Sequence, residues 1–411
     1  MTESVDSTAS LPLADVKILD FTWVMAGPAA TRMLADFGAT IVRVESPTRV
    51  DTARTLHPRH RNEATTESSG CFGNNNAGKL GVTLDLSKPE GRDVVRDLVR
   101  WADVVTESFS PKAMRHWGLG YDDLRKVNPA IIMLSSCLMG QSGPLSKMAG
   151  FGTMGASVSG FHNLAGWPDR APAGVFGAYT DYVSPRFTAV AILAALDHRR
   201  RTGRGQYIDQ SQAEASAHFL TPAILDYSAN GREQRRVGNA DPHFAPHGVY
   251  PAAGQDRWLA IVCRTDGEWR SLCEEMGRAD LAADPRYTCA AGRLARRDDL
   301  DREIEAWTKT LEPLDVEHRL QARGVPAHLV QSSRDCFEDA QLRHRGHFVE
   351  LEHPVYGTTI VEGPRVALSR TPGDAKRAAP TLGRDNDYVL RTILGYGEER
   401  VTALAVAGVM G

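Results

Sequence analysis

Short apolar runs alternate with longer amphipathic stretches over the first third of the chain. The apolar runs predict β-strands at Val16–Phe21, Thr40–Val44, Val82–Leu86, Asp103–Thr106 and Ile131–Ser135. Apolar residues at helical spacing predict helices between these strands, such as Ala29–Phe37 and Glu90–Trp101. Strands that alternate with helices predict a parallel sheet covered by helices on both faces, which is an α/β fold.

The pattern changes after residue 235. A turn-rich segment precedes two hairpin-like apolar runs, Val249–Tyr250 and Trp258–Val262, and helical stretches follow. We read this region as a smaller α+β domain. The predicted division is a disordered leader at 1–10, a large domain at 11–215, a linker at 216–235, the small domain at 236–330, and a linker with a return to the large domain at 331–411.

Length and composition narrow the class of protein. A chain of 411 residues is too long for one ordinary core, so two domains are expected. The formal charge of −3 argues against nucleic acid as a partner, and the sequence has no apolar run long enough for a membrane span. The six cysteines and 13 histidines lack metal-ligand spacing, which predicts reduced thiols, a cytoplasmic location and no metal site.

Asp181 is the first candidate for chemistry. It follows a loop rich in Gly, Pro and Ala at Gly166–Gly174. Ser184 and Pro185 fit the N-cap and first position of a helix over Phe187–Leu196. A carboxylate near a helix N-terminus is favoured as the anion and is available as a nucleophile. A capping or surface aspartate has the same local pattern, so this segment alone leaves the role of Asp181 open.

Further motifs occur in order along nearly the whole chain. They are Leu19–Pro28, Phe37–Glu45, Lys79 before the third strand, Lys88–Gly91, Ala102–Phe109, Gly140–Pro144, Thr202–Gln206 and Pro380–Gly383. With these motifs the chain resembles the family III CoA-transferases, the family of carnitine CoA-transferase and formyl-CoA transferase. The resemblance implies a Rossmann-like large domain built from both chain ends, a small middle domain, and two chains interlocked as rings in a homodimer.

The resemblance also implies a reaction. Enzymes of this family move CoA from an acyl-CoA thioester to a free carboxylic acid, through an aspartyl anhydride and an aspartyl-CoA thioester. Asp181 matches the position of the family's nucleophilic aspartate. Backbone N–H groups of Gly140 and Gly143 are candidates for stabilising the oxyanion, with a structural turn as the alternative. The Leu138–Gln141 segment and the Asp181 context resemble the branch that acts on aromatic and succinyl-type acids.

CoA contacts are carried over from the same resemblance. The matching positions are Met25, Ala26, Lys79, Ser108, Phe109, Arg115 and His116. The chain departs from the family pattern after the second strand, where Ser46 replaces a basic residue and Arg49 follows a little later. It also departs at His116, which stands where the family has an arginine. The expected ligands are an acyl-CoA donor and a carboxylic-acid acceptor, with no permanently bound cofactor.

Two other functions fit parts of the pattern. An acyl-CoA racemase of the methylacyl-CoA type needs a histidine opposite the aspartate, but Phe151 occupies that position. His162 is a displaced base in that reading and a surface histidine otherwise. A non-catalytic CoA-binding subunit of a heteromeric transferase is the second alternative, although such a subunit has no need of Asp181. A nicotinamide dehydrogenase is poorly supported, since the GxGxxG fingerprint is missing.

Overall fold

The computed structural model describes residues 11–410, so the predicted leader at 1–10 lies outside the described residues. Six strands form the main sheet: β1 (Lys17–Phe21), β2 (Thr40–Glu45), β3 (Leu80–Thr83), β4 (Val104–Glu107), β5 (Ile132–Cys137) and β6 (Tyr207–Ser211). The later strands are β7 (His247–Pro251), β8 (Trp258–Val262), β9 (Ala327–Leu329), β10 (Phe348–His353) and β11 (Gly357–Glu362).

Helices connect and cover these strands. The helices before β7 are α1 (Ala26–Ala35), α2 (Gly70–Asn76), α3 (Pro89–Trp101), α4 (Ala113–His116), α5 (Tyr121–Val127), α6 (Gly152–Val158), α7 (Phe161–Leu164), α8 (Tyr179–Thr202), α9 (Gln212–Ala217) and α10 (Thr221–Asn230). Those that follow are α11 (Asp266–Glu275), α12 (Ala279–Ala283), α13 (Ala290–Ala295), α14 (Arg297–Thr308), α15 (Pro313–Ala322), α16 (Ser333–Glu338), α17 (Ala340–His344) and α18 (Glu398–Val406). Between residues 11 and 410, no helix is both long and apolar enough to span a membrane.

The main sheet is parallel throughout, which confirms the α/β prediction. Its strand order is β3-β2-β1-β4-β5-β6, the order of a doubly wound Rossmann-like sheet. In the centre, Ile18 lies opposite Ile41 on one side and Val104 on the other. The strand order reverses between β1 and β4. In sheets of this kind, ligands bind at such a reversal, in the crevice at the carboxyl ends of the strands.

Successive side chains of each strand point to opposite faces of the sheet, so an apolar core forms on each face. Leu19 and Val105 pack with Leu98 of α3 on one face. Ile18 and Val104 belong to the opposite core, which takes in buried side chains of α1 and α8. Burial on both faces explains why these strands read as nearly continuous apolar runs.

The described chain forms two compact units. The first comprises residues up to Phe161, Gly174–Arg232 and the chain from Ala340 onward, and it contains the parallel sheet. The second comprises His162–Ala173 and Glu233–Asp339, with an antiparallel sheet in the order β7-β8-β9 and its own apolar core.

One segment belongs to a different unit from the one predicted. Residues 162–173 were predicted within the large domain but are part of the second unit. The Gly166 carbonyl accepts a hydrogen bond of 2.9 Å from the N–H of Gly238. The ring of Trp167 lies so close to Gly238 that a Cβ there would come within 2.2 Å of it. These contacts hold the segment against residues of its own unit.

Candidate active site

A cavity of about 600 Å³ lies at the carboxyl edge of the parallel sheet, within the first unit. Because the carboxyl ends of parallel strands meet at one edge, the segments after β1, β4 and β5 come together there. The lining consists mainly of Trp23–Gly27, Ser108–Pro111, Ser136–Leu138, Ser146–Phe151 and Asp181, with Arg49 and Gln212. This is the crevice that the strand order predicts.

Asp181 lies inside the first turn of α8, which corrects the predicted start of that helix. The sequence favoured a start at Pro185, but α8 begins at Tyr179 and contains Pro185. A proline inside a helix lacks the N–H that would bond to the carbonyl four residues earlier. Tertiary packing offsets this loss, since Thr180 is buried and its hydroxyl donates to the Gly152 carbonyl at 3.0 Å. Asp181 therefore keeps its place near a helix N-terminus.

Asp181 is buried, with 7% of the residue exposed. Burial raises its pKa to about 6, and a hydrogen bond donated by the backbone N–H of Gly152 opposes that rise. At neutral pH the group is therefore mostly ionised while poorly solvated. A desolvated carboxylate of raised pKa is a more basic and more reactive oxygen nucleophile than a surface aspartate.

Gly152, the first residue of α6, has no room for a side chain. A Cβ at this position would lie 2.6 Å from Cγ of Asp181 and 2.8 Å from each carboxylate oxygen. Its backbone φ is not in the left-handed region, so space is the constraint rather than conformation. A Cβ at Gly155, one turn later, would likewise lie only 2.7 Å from the hydroxyl oxygen of Thr180. Gly152 was not among the predicted site residues, although it directly follows Phe151 in the sequence.

The loop after β1 supplies the wall of the cavity at the start of α1. Its residues Met25 and Ala26, both predicted to contact CoA, line the cavity together with Ser108 and Phe109. The N–H of Trp23 donates to the Ser108 hydroxyl at 2.9 Å, which joins the loops after β1 and β4. The N-cap of α1 makes no side-chain capping hydrogen bond, so the partial positive charge of this helix end is next to the cavity.

Lys79 lies in the interior rather than at the cavity, contrary to its predicted role. Its side chain is fully buried, and burial lowers the pKa of its amine to about 8. The ammonium donates to Asp20 at 3.0 Å, to the Pro28 carbonyl at 3.0 Å and to Asn76 at 2.9 Å. Since an ammonium has three donors, none is left for a phosphate.

Four other predicted residues are also outside the cavity lining. Arg115 and His116 are exposed on α4, and Arg115 lines a separate cavity of about 380 Å³ with Glu107. Gly140 and Gly143 have φ values of +82° and +87°, which fits the turn alternative. The N–H of Gly140 is directed at the thiol of Cys137.

Two cations in the lining were not among the predicted site residues. They are Lys147, which precedes α6, and Arg49, which follows β2. Arg49 also lines an adjacent cavity of about 540 Å³, together with Trp23 and Phe109. The ring of Phe109 contacts those of Trp23 and Trp117 at centroid distances of 5.9 and 5.5 Å. A cation and a group of aromatic rings thus stand between the two cavities.

Ser136, on β5, adds a polar group to the wall. Its side chain is 1% exposed, and its hydroxyl has no hydrogen-bond partner in the described part of the chain. A buried hydroxyl without a partner is costly in an apolar surrounding and is a ready contact for a ligand. Its neighbour Ser135 points to the other face of the sheet and donates to Glu107.

The titratable groups limit the chemistry of this site. Among the described residues that line the cavity there is no histidine, and Phe151 contributes to the wall. Over residues 11–410, no three His, Cys, Asp or Glu side chains are arranged as metal ligands. Asp181 is the carboxylate in the described lining, accompanied by cations and backbone N–H groups. Such a site suits nucleophilic attack by a carboxylate on an anionic ligand.

The chain is similar to known proteins over nearly its whole length. The sequence pattern of CoA-transferase family III matches residues 13–386. A succinyl-CoA–D-citramalate CoA-transferase of Chloroflexus aurantiacus is 32% identical over 393 residues, covering 96% of this chain and 96% of that protein. A succinate–glutarate CoA-transferase of Agrobacterium fabrum is 34% identical over 383 residues, covering 92% of this chain and 95% of that protein.

A solved structure gives the same result for the fold. The crystal structure of a CAIB/BAIF family protein from Brucella suis superposes with a TM-score of 0.87 at 31% identity, covering 94% of this chain and 100% of that one. The matched family pattern spans the parallel sheet, the cavity and Asp181. The chain belongs to CoA-transferase family III.

Proposed function

We propose that this protein transfers CoA from an acyl-CoA thioester to a free carboxylic acid, with Asp181 as the nucleophile. The observation that carries the proposal is the Asp181 carboxylate itself. It is desolvated, hydrogen-bonded by the Gly152 N–H and set in the wall of a cavity of about 600 Å³. Membership of CoA-transferase family III supports the same reaction class.

The first half of the reaction loads CoA onto the protein. A carboxylate oxygen of Asp181 attacks the thioester carbonyl, the C–S bond breaks, and a mixed anhydride and CoA thiolate result. The thiolate then attacks Cγ of Asp181, the anhydride C–O bond breaks, and the donor leaves as a carboxylate. Asp181 is left as a CoA thioester, so the free energy of the thioester is kept and not lost to water.

The second half repeats these steps in reverse. The acceptor carboxylate attacks the aspartyl thioester and expels CoA thiolate, which forms a new mixed anhydride. The thiolate attacks the acyl carbonyl of the acceptor, and the new acyl-CoA and free Asp181 result. No net proton is transferred, so the cycle has no need of a histidine, in keeping with the described lining.

Every attack passes through an oxyanion that needs hydrogen-bond donors. We assign this task to the backbone N–H groups of Ala26 and Gly27 at the start of α1, in place of Gly140 and Gly143. Both residues line the cavity, and no side chain caps this helix end. Backbone donors at a helix N-terminus are already oriented when charge develops, so they favour the transition state at little reorganisation cost.

The lining also supports a placement for CoA. Arg49 stands at the wall shared by the two cavities and is our candidate for a CoA phosphate. Phe109 and Trp117 line the adjacent cavity and offer apolar rings to the adenine. Met25, Ala26, Ser108 and the hydroxyl of Ser136 are then left to the pantetheine arm and the thioester.

The proposed substrates rest on the names of two relatives and on the position of one lysine in the cavity. The names of both transferases above contain succinate or its CoA ester. We infer a succinyl-type donor and a dicarboxylic acid as the acceptor. Lys147 lines the cavity that holds Asp181 and supplies a cation for the second carboxylate of such an acid.

Two alternatives are weaker on specific grounds. Racemisation needs a second base on the far side of the carbon, and Phe151 cannot accept a proton. A relative named as the beta subunit of a succinyl-CoA–L-malate CoA-transferase of Chloroflexus aurantiacus, 34% identical over 404 residues, supports a heteromeric assembly but not a binding-only role. Such a role leaves the desolvated Asp181 unexplained.

The assembly and its location are also proposals. We infer an interlocked homodimer from the family resemblance, with a heteromer as the alternative. Exposed apolar side chains on α8 and α10, Val190, Leu225 and Tyr227, support a surface that another chain covers. All six cysteines are unpaired, which suits the reducing cytoplasm.

The reaction is tested with the purified protein, succinyl-CoA and a panel of free mono- and dicarboxylic acids in deuterated water. We expect a new acyl-CoA to accumulate as succinate is released, with no deuterium at the α-carbon. Deuterium incorporation without CoA exchange would favour the racemase. CoA binding without either reaction would favour the binding-only subunit.

A further inference from the structure

Val24 has a backbone conformation that its side chain disfavours. Its φ is +68°, in the left-handed region, where a β-branched residue is a rare outlier. Strain of this kind persists only where the surroundings hold it, and it is concentrated at functional sites. Val24 lines the cavity that contains Asp181, two residues before α1 begins.

Contacts at three consecutive residues hold this loop. The carbonyl of Thr22 accepts a hydrogen bond from the Arg43 guanidinium at 2.6 Å. The N–H of Trp23 donates to the Ser108 hydroxyl at 2.9 Å. The N–H of Val24 donates to both carboxylate oxygens of Asp51, at 3.0 and 3.2 Å. The strained residue is therefore held by a carboxylate 27 residues away in the sequence.

The Asp51 side chain is itself held by several contacts. It is fully buried and pairs with the equally buried Arg43. One of its oxygens also accepts from the N–H of Ala53 at 2.9 Å. Asp51 is not part of the cavity lining, and a role in contacting substrate is not available to it. Its direct contact with a residue of the cavity lining is the hydrogen bond from the Val24 N–H.

We propose that Asp51 is a positioning residue that holds Val24 in its left-handed conformation and so fixes the cavity wall that faces the substrate. This inference rests on the proposed transferase reaction. If Val24 relaxed to an ordinary backbone conformation, the chain that follows it into α1 would run in a different direction. The N–H groups of Ala26 and Gly27 would then move from the developing oxyanion. A displacement of about 1 Å is enough to lower a rate about 100-fold.

The test compares Asp51→Asn with the double variant Asp51→Asn/Val24→Gly. Asparagine places an amide donor where the carboxylate met Arg43 and Val24, so we expect kcat to fall about 10- to 100-fold. Glycine takes the left-handed conformation without strain, so the kcat of the double variant should be at least about fivefold higher than that of Asp51→Asn. Thermal unfolding of both proteins is recorded. A role in stability alone would give no recovery of kcat by Val24→Gly.

A second pair avoids any change to the buried charges. Val24→Pro removes the N–H and locks φ near −65°, so we expect a loss of kcat of about 100-fold, whereas Val24→Gly should lose no more than about fivefold. Equal kcat values for these two variants would overturn the inference, as would wild-type kcat in a folded Asp51→Asn protein. Failure of the wild-type protein to transfer CoA would instead overturn the proposed function and, with it, this role.

Discussion

The backbone N–H of Gly152 donates to the carboxylate of Asp181, and the missing side chain at 152 leaves the space that this carboxylate occupies. Both effects come from the first residue of α6, which packs against the first turns of α8. One glycine therefore orients the proposed nucleophile and makes room for it. In the proposed reaction, the position of α6 matters to the chemistry as well as to the fold.

Replacing Gly152 by alanine tests this relationship. A Cβ would lie 2.6 Å from Cγ of Asp181, so the carboxylate must rotate or α6 must shift. We expect kcat to fall about 10- to 100-fold. Gly73→Ala is the matched control, because no atom lies within 4 Å of a Cβ there and the residue is inside α2. An active Gly152→Ala enzyme with wild-type kcat would contradict the proposed geometry.

The raised pKa of Asp181 predicts a cost in stability. Its pKa of about 6 lies above the ordinary value of 3.8, so the folded protein binds this proton more tightly than the unfolded chain. Stability is thus lost as pH rises from about 4 to about 6 and stays lost above that. Asp181→Asn removes the cost and should be more stable at pH 8 by about 1–3 kcal/mol.

Urea unfolding of wild type and Asp181→Asn between pH 4 and pH 8 measures this difference. The two free energies of unfolding should converge toward the acid end of the range, while the variant has no transferase activity at any pH. Other buried carboxyls with raised pKa, such as Glu107 at about 7, titrate in both proteins and cancel in the comparison. A variant less stable than wild type at pH 8 would show that the ionised carboxylate is well solvated or paired.

Ser136→Ala separates binding from folding. Its hydroxyl has no partner within the described chain, so no hydrogen bond is lost in the free protein and Tm should stay the same or rise. If the hydroxyl contacts the acyl-CoA, KM should rise about 2- to 12-fold, the value of one hydrogen bond. Ser135→Ala is the control, since that hydroxyl bonds to Glu107 on the other face. Unchanged KM in Ser136→Ala would remove this residue from the binding site.

Lys79→Met distinguishes an interior ion pair from a phosphate contact. Its loss leaves Asp20 buried without its ammonium partner, which should destabilise the protein by about 3–5 kcal/mol. Arg49→Ala should instead raise the KM for acyl-CoA and leave the free energy of unfolding nearly unchanged, because Arg49 is exposed and lines both cavities. A stable Lys79→Met protein with a raised KM would restore the role predicted from the sequence.

Much of the first unit was predictable because burial on both faces of a parallel sheet leaves a strong apolar signal. The predicted strands Thr40–Val44 and Ile131–Ser135 correspond to β2 and β5 within two residues at either end. The prediction at Val82–Leu86 was displaced, since β3 runs from Leu80 to Thr83. Strand β6 was missed because it lies partly exposed at the sheet edge and its sequence lacks a continuous apolar run.

The site was only partly predictable, because its chemistry depends on contacts between distant segments. Asp181 is recognisable from its motif, but its burial and its bond to Gly152 require α6 to pack on α8. Lys79 matches a motif position, yet folding turns its ammonium inward to Asp20. Local rules placed a helix start at Pro185, and packing of Thr180 on α6 moved that start six residues earlier, to Tyr179.

The most direct measurement is mass spectrometry of the protein after incubation with succinyl-CoA, with borohydride or hydroxylamine added to trap the intermediate. The comparison is with Asp181→Asn under the same conditions. We expect a CoA or acyl adduct, or its trapped product, on the peptide that contains Asp181 and none in the variant. An adduct on another residue, or active transfer by a folded Asp181→Asn protein, would contradict it.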